Sequence, residues 1–436
     1  MRDAVVIGAG LAGLAATLRL AERGRAVTLV TGGLGGLQLG QGTIDVLGYD
    51  GDRRVEDPLA AVDSWTGDDP DHADHPYARF AGEQIREALA WLAGVAGPDL
   101  LEAPEGPTVA NVCLPTAVGA LRPTALIPPS MRAGIIRSDR EYVFVGLRRL
   151  KDFYPDLVAG NLQRQSAPDA GADGAPIRAR AVWVDVEARP GEVDTSGVNW
   201  ARALDRPEAR ERLCRAIAPQ LRDGEVVGLP AVLGLADTGA WRDIAARLGH
   251  DVFEVPLPPP SVPGMRLNER LTELARRRAR YVLGSRVTGI EGLGGEGGRG
   301  LSVRVATAGH DTLIEARDVI LASGGLESGA LWLDSYGHVT ETALGLPVRL
   351  PEGVAEDGEG LTAGDYWGAD QPLYRTGLAV DDQMRVLDGG GALVDAHVRA
   401  AGGILAGATR WHEKSGDGIA LASALRAADS ILEGEE

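Results

Sequence analysis

Three glycines at one spacing carry the first recognisable chemistry of the chain. In Ala4-Val5-Val6-Ile7-Gly8-Ala9-Gly10-Leu11-Ala12-Gly13 a short apolar run meets a G-x-G-x-x-G turn. Gly8 lets the backbone turn sharply, Gly10 lets it approach a phosphate, and Gly13 lets the next helix pack closely on the strand. That helix would offer free N–H groups and the positive end of its dipole to an anion. A helical pattern from Leu14 to Arg23 and an apolar run from Ala26 to Val30 frame the turn as strand, helix and strand. Residues Gly8, Gly10, Leu11, Ala12 and Gly13 are therefore expected to bind the phosphate of a nucleotide cofactor. Thr31 holds the place, about 20 residues after the glycines, where an acidic side chain would bond a ribose 2′-hydroxyl. An uncharged residue there weakens the case for NAD and favours a flavin.

Small residues recur where strands end. Gly42 and Thr43 follow a glycine-rich stretch that begins at Gly32, and its small residues would let backbone lie against a flat ring. A run at 319–325 reads as a buried strand opening into Ala322, Ser323 and Gly324, and a run at 403–408 as another strand ending in Gly407 and Ala408. Gly416, Gly418 and Ile419 then open a helix to about residue 432, whose N-terminus would stabilise charge on a reduced flavin near its O2 and N1. Val287, on a strand expected at 286–290, completes the cofactor-binding set. Between these elements lie strands expected at 281–283, 301–306 and 313–321, with a glycine-rich hairpin connection over 291–300.

The fold these patterns predict is α/β, a Rossmann-like FAD/NAD(P)-binding fold of the glutathione-reductase and fumarate-reductase type with an inserted α+β cap. The flavin-binding part is expected at 1–55, 262–334 and 376–436, and the cap at 56–261 and 335–375. Within the cap, helices are expected at 80–95 and 207–221, a loop at 163–176 and a strand at 181–186. Another helix is expected at 265–279, on the return to the flavin-binding part.

Composition excludes several functions. A formal charge of −18 argues against nucleic acid and against direct binding to an anionic membrane surface. No run approaches the roughly 18 apolar residues of a membrane span. The helical pattern continues through Arg19, Glu22 and Arg23 with no cleavage site, so the opening run is not expected to be a secretory signal. Two cysteines, Cys113 and Cys214, are too few for an iron–sulfur cluster, which takes about four. The seven histidines show no metal-ligand spacing, and no metal is expected.

The chain resembles the flavoprotein B-subunit family of anaerobic glycerol-3-phosphate dehydrogenases. The resemblance rests on the glycine turn, on Gly42-Thr43-Ile44-Asp45-Val46-Leu47, on Gly119-Ala120-Leu121-Arg122-Pro123-Thr124, and on residues 146–154 with Lys151-Asp152-Phe153. It also rests on Leu257-Pro258-Pro259-Pro260-Ser261-Val262-Pro263-Gly264-Met265-Arg266. It implies a complex with separate catalytic and iron–sulfur partners, oxidising sn-glycerol 3-phosphate to dihydroxyacetone phosphate and passing electrons to quinone. It implies a cytoplasmic protein, peripheral to the inner face of the cell membrane through a partner. FMN is the cofactor the resemblance implies, with FAD as the alternative because the glycine turn suits a diphosphate. The chain departs from the expected pattern at Thr409-Arg410-Trp411-His412-Glu413-Lys414, where a more glycine-rich approach to the last helix is expected.

Oxidising a secondary alcohol with a flavin takes a hydride acceptor, a base for the hydroxyl proton and cations for the phosphate. His412 is the candidate base, with Arg266 and Arg410 beside it as catalytic candidates. Arg122 and Lys151 are candidates for the substrate phosphate, since a guanidinium fork matches phosphate oxygens. His397 is expected in a turn. Two other readings stay open: a non-catalytic electron relay or scaffold within the same complex, and a stand-alone fumarate-reductase-like oxidoreductase.

Overall fold

The computed structural model describes residues 1–65, 72–171, 174–294, 300–365 and 370–434. The chain starts with β1 (Arg2–Ile7), α1 (Leu11–Glu22) and β2 (Val27–Thr31). A hairpin of β3 (Tyr49–Asp50) and β4 (Arg53–Arg54) precedes helices α2 (Pro58–Ser64) and α3 (Gly82–Ala96). A two-stranded ribbon of β5 (Val112–Pro115) and β6 (Leu121–Thr124) leads into the cap.

The cap runs through β7 (Glu141–Leu147), α4 (Pro155–Leu162), β8 (Arg178–Val184), α5 (Gly197–Leu204), α6 (Pro207–Ile217), β9 (Val226–Pro230), α7 (Ala240–Leu248) and β10 (Val252–Val255). Its sheet has the order β10-β9-β7-β8, with every pair parallel. Parallel neighbours need crossover connections, and these connections carry the cap helices. β7, β9 and β10 are short, largely buried runs, and of the four strands only the more exposed β8 is foreshadowed by the sequence pattern.

The return begins with α8 (Val262–Arg278), capped by the Ser261 hydroxyl accepting from the Gly264 N–H. Strands β11 (Arg280–Leu283), β12 (Arg286–Glu291), β13 (Leu301–Ala306) and β14 (Asp311–Leu321) follow, then a ribbon of β15 (Leu331–Leu333) and β16 (Val339–Glu341). The chain closes with β17 (Val398–Ala400), the one-turn α9 (Arg410–Glu413) and α10 (Gly416–Glu433).

The main sheet has the order β11-β2-β1-β14, with β17 also paired to β14 and all these pairs parallel. The first half of the long β14 pairs antiparallel with β13, and β13 with β12, as the expected meander. Part of its connection, residues 295–299, lies outside the described residues. Small residues let α1 pack on α10 beneath the sheet: Ala12, Ala15 and Ala16 share one core with Ala424, Ala427 and Ala428. Arg19 joins the two helices at the surface, its Nε donating to Asp429 Oδ1 at 2.7 Å.

Two expectations are corrected here. Leu59, Val62, Ile85, Leu89 and Leu92 of α2 and α3 pack in the same core as β1 and α1, so the division at residue 55 falls inside one packed body. The fully buried residues of the second core all lie within 136–262. Leu344 and Leu346, expected in the cap, also belong to the first core. The strand expected at 403–408 is displaced to β17, because Gly402 (φ +80) and Gly407 (φ +101) bend the backbone out of strand geometry. Leu405 keeps a single parallel bridge to Leu378.

Candidate functional site

The glycine turn is built as its spacing requires. Gly8 has φ +109, and a Cβ there would collide with the Ala322 carbonyl at the end of β14. A Cβ on Gly13 would collide with the Gly8 carbonyl, so that glycine seats α1 on the turn. Gly10 is different: a Cβ there meets nothing within 4 Å, and the open space lies at the start of α1. The N-cap of α1 is Gly10 itself, with no side-chain cap and no acidic residue in the first turn. An uncapped helix start without a resident carboxylate is suited to an anionic ligand.

Neighbouring segments close on this turn. The loop after β2 lies directly on it, since a Cβ on Gly35 would collide with the Ala9 carbonyl. The Thr31 hydroxyl donates to the Gly33 carbonyl at 2.7 Å and so shapes that loop. Ser323 Oγ, just past β14, is buried and has no hydrogen-bond partner among the described residues. A buried orphan hydroxyl beside a glycine cradle fits a bound flavin, whose polar atoms would satisfy it.

A second cluster stands at the start of α10. Asp45 is 2% exposed, and Arg122 Nε donates to its Oδ2 at 2.9 Å. The Asp45 amide donates to Asp417 Oδ2 at 3.3 Å, and the Thr43 hydroxyl donates to Asp45 Oδ1 at 3.4 Å. The residue surface of Asp417 is partly open, yet its carboxyl sits deep among protein atoms. Burial first, and the Asp45 charge second, push the Asp417 carboxyl up to about 7, against the Asp45 amide and Arg122. A carboxyl poised near neutrality is suited to exchanging protons at physiological pH. The sequence assigns no role to Asp45 or Asp417, although Asp45 stands in the 42–47 segment that carries the family resemblance; the available signal is an acidic residue inside each of two glycine-rich segments.

A third network fastens α9. Burial would raise the Glu413 carboxyl, but hydrogen bonds from His75, Ser415 and the Thr409 amide hold it at about 2. His75 Nδ1 accepts from the Tyr77 amide, which leaves its Nε2 to donate to Glu413 at 3.1 Å. A carboxyl lowered in the fold adds stability above its unfolded value and loses it as pH falls. Acid unfolding curves should therefore show about 3 kcal/mol disappearing as pH drops from about 4.5 through about 2, and Glu413→Gln should remove that slope.

The sequence-derived candidates divide between these places. Gly8, Gly10, Leu11, Ala12, Gly13, Ala322, Ser323 and Gly324 lie at the ends of β1 and β14 and the start of α1. Gly42 and Thr43 lead into Asp45, and a Cβ on Gly42 would stand 2.6 Å from Pro263 Cβ. A Cβ on Gly407 would collide with the Asp74 carbonyl, and one on Gly418 with the Tyr77 hydroxyl. Both glycines thus make room for the 74–77 segment. The Gly418 amide donates to the Asp45 carbonyl and the Ile419 amide to Ser415, which leaves Gly416 and Asp417 as the open start of α10. Ala408 is buried, and Val287 is buried on β12 opposite Val305.

Among the charged candidates, Arg122 stands at the α10 cluster. Arg410 lies beside Gly325 and donates to the Leu405 carbonyl at 3.4 Å. His412 Nδ1 meets Asp370 Oδ1 at 3.0 Å, an oriented imidazole on α9. Arg266 is buried on α8, with Nη1 donating to Glu254 Oε2 at 2.7 Å and Nε to the Gly234 carbonyl at 2.8 Å. Lys151 is exposed on the cap in an ion pair with Asp194. Placing Arg266 and Lys151 at the reacting centre is therefore corrected: one braces α8 to β10 and the other sits on the cap surface. His397 lies in a turn, as expected, just before β17, with Nδ1 3.2 Å from Asp318. Among the described residues, no group of His, Cys, Asp and Glu could hold a metal.

A parallel sheet with a glycine turn at β1, an uncapped α1 and small-residue strand ends defines a flavin-binding fold. The FAD binding domain family matches residues 3–419. The B component of a probable anaerobic glycerol-3-phosphate dehydrogenase from Halobacterium salinarum is 32% identical over 444 residues, covering 99% of this chain and 98% of that protein. The corresponding B components from Pectobacterium carotovorum and Yersinia pseudotuberculosis are 30% and 31% identical at the same coverages. The chain belongs to the FAD binding domain family and, within it, to the B-subunit family of anaerobic glycerol-3-phosphate dehydrogenases. A solved flavocytochrome c3 fumarate reductase is similar at 12% identity and a TM-score of 0.44, covering 99% of this chain and 78% of its own. A 3-ketosteroid Δ1-dehydrogenase from Sterolibacterium denitrificans is similar at 12% identity and a TM-score of 0.43, covering 99% of both chains. The chain is a flavoprotein of the oxidoreductase class.

Proposed function

We propose that this chain is the flavoprotein subunit of a quinone-linked anaerobic glycerol-3-phosphate dehydrogenase, oxidising sn-glycerol 3-phosphate to dihydroxyacetone phosphate. The observation that carries the reading is the Asp45–Asp417–Arg122 cluster, which puts a near-neutral carboxyl and a guanidinium at one helix start. The flavin, when bound, supplies the hydride acceptor. The Gly8–Gly13 turn and the first amides of α1 would hold its phosphate, and Ser323 Oγ would bond one of its polar atoms. A diphosphate suits a turn and helix start of this form, which favours FAD over the FMN implied by resemblance; mass spectrometry of the released pigment decides between them.

Asp417 would take the hydroxyl proton of the substrate on its carboxylate as the alcohol becomes a ketone. The ionised form is needed, so reduction by substrate should speed up as pH rises through about 7. Asp417→Asn is expected to slow flavin reduction by about 10² or more and to flatten that pH profile. His412, oriented by Asp370, is the other proton acceptor within the proposal. If it is the base, His412→Ala causes the larger loss and the profile survives in the Asp417 variant.

The relatives' names, each as one lettered component of a larger enzyme, support partner subunits; a catalytic and an iron–sulfur partner are what the family resemblance implies. The site proposed for the assembly is the inner face of the cell membrane, with this chain on the cytoplasmic side. No helix among the described residues is long and apolar enough to cross a membrane. The placement of Arg266 and Lys151 in ion pairs away from the α10 cluster favours a second reading, electron relay without substrate oxidation. One anaerobic experiment separates the two. Glycerol 3-phosphate added to the purified yellow chain should bleach the flavin band near roughly 450 nm; a chain that stays yellow supports the relay.

A further inference from the structure

Three cations meet where the β3–β4 hairpin, β6 and the end of α9 come together. Arg54 lies opposite Tyr49 in the hairpin, and its Nη1 reaches Cys113 Sγ at 3.7 Å. No carboxylate lies within ion-pair distance of Arg54 among the described residues. Arg122 is engaged by Asp45. Lys414 donates its ammonium to the Trp411 carbonyl and likewise has no carboxylate in contact among the described residues. Asp45 is thus the one carboxylate there paired with any of the three, among the described residues.

Arg122 is close enough to Lys414 to act on it, and Arg54 and Arg122 both act on Tyr49 between them. Burial and then the neighbouring Arg122 lower the Lys414 ammonium, against the pull of Asp45. Burial raises the Tyr49 hydroxyl, while Arg54 and Arg122 both act to lower it. The other titratable groups facing this corner are Asp417 at the start of α10, Glu413 and His75 behind α9, Tyr77, and Cys113 on β5. Like charges gathered in a half-buried corner repel unless an anion joins them. In a chain of net charge −18, with Lys414 one of only two lysines, such a corner is conspicuous.

The backbone is shaped to bring Lys414 in. It adopts φ +52, a left-handed conformation that a residue with a Cβ enters only at a cost. Gly48 lets it lie against the hairpin, because a Cβ there would stand 3.0 Å from Lys414 Cβ and 2.9 Å from Pro123 Cγ. Strain of this kind tends to gather at ligand clamps. The Arg54 guanidinium, the Lys414 ammonium and the Arg122 Nη1 left over by Asp45, which takes the Nε and Nη2 of that fork, can donate to the three oxygens of a phosphate monoester.

We propose that Arg54, Arg122 and Lys414 seat the phosphate of a phosphorylated small alcohol. The proposal rests on the functional reading above and names the part of the site that recognises its substrate class. Asp45, which engages Arg122, also touches Asp417 through its amide, so the phosphate seat and the proton acceptor lie side by side.

The test is calorimetric titration of inorganic phosphate and of glycerol 3-phosphate into the oxidised, flavin-loaded chain. Arg54→Gln and Lys414→Asn are the variants, the latter because asparagine tolerates the left-handed backbone. Arg215→Gln, an exposed α6 residue, is the control. Both ligands should bind the wild type, and each variant should weaken both by tenfold or more with flavin content unchanged. Phosphate should also shield Arg54 from phenylglyoxal in the unaltered protein, read by peptide mass, which needs no variant to fold. Variants that bind like the wild type, a wild type that binds neither ligand, or an Arg54 that phosphate leaves unshielded would each overturn the seat. Phosphate binding lost in the variants, in a chain that glycerol 3-phosphate never bleaches, would keep the seat and reject the dehydrogenase reading. Bleaching that is equally sensitive to glycerol 3-phosphate in wild type and variants would do the reverse.

Discussion

Gly13→Ala is expected to strip the protein of its flavin. The added methyl collides with the Gly8 carbonyl, and Gly8 is itself pressed on Ala322, so relief must pull the turn away from β14. The flavin content of the purified variant should fall from about one per chain to below about a tenth, because the turn can no longer bring its amides to a phosphate. Gly10→Ala is the informative partner. Its methyl meets no protein atom within 4 Å, so the variant should fold and melt as the wild type does. It should nevertheless bind flavin poorly, since the methyl occupies room that belongs to the ligand. Full flavin retention in Gly10→Ala would mean that the cofactor lies elsewhere.

The second large effect concerns stability. Arg266→Ala leaves the buried Glu254 without its guanidinium and the Gly234 carbonyl without its donors. The Leu233 amide, which donates to Glu254 Oε1 at 3.0 Å, is a partial substitute at best. Breaking a buried pair from one side costs about 3–5 kcal/mol. Denaturant titration should show that loss, while the fraction that remains folded keeps its flavin and its rate. Replacing Arg266 and Glu254 together by methionine should recover much of the stability, because neither charge is then left alone. A variant of normal stability and lost activity would restore Arg266 to the catalytic set.

Legibility in the sequence followed the locality of each signal. The G-x-G-x-x-G turn, α1, β2, the meander and α10 were readable because their glycine spacing and periodicity are complete within a dozen or so residues. The cap sheet was not. Glu141-Tyr142-Val143-Phe144-Val145 or Val252-Phe253-Glu254-Val255 has no alternation to mark a strand, because both faces are buried. Arg266 was misplaced for a related reason: its neighbours at 257–265 resemble a functional segment, but its partner Glu254 lies before them and shows no pattern. Asp45 and Arg54 lie far in sequence from Lys414 and Asp417, and only the packing of α10 beside the 42–54 segment brings the two pairs together. Gly407 and Gly418 show the converse. Their place at a strand end and a helix start suggests a cofactor contact, whereas their lack of a side chain makes room for residues 74–77.

The pairing of α1 with α10, and of the Gly42–Leu47 segment with the start of α10, governs when the pocket can exist during synthesis. The glycine turn leaves the ribosome early, but the Asp417 carboxyl that meets the Asp45 amide follows Asp45 by 372 positions, on the helix that also packs on α1. A nascent polypeptide that stops short of α10 lacks the Asp45–Asp417 contact, so on the proposed reading flavin acquisition waits until that helix has emerged. Deleting α10 should consequently cost the protein a cofactor bound at the opposite end of its sequence.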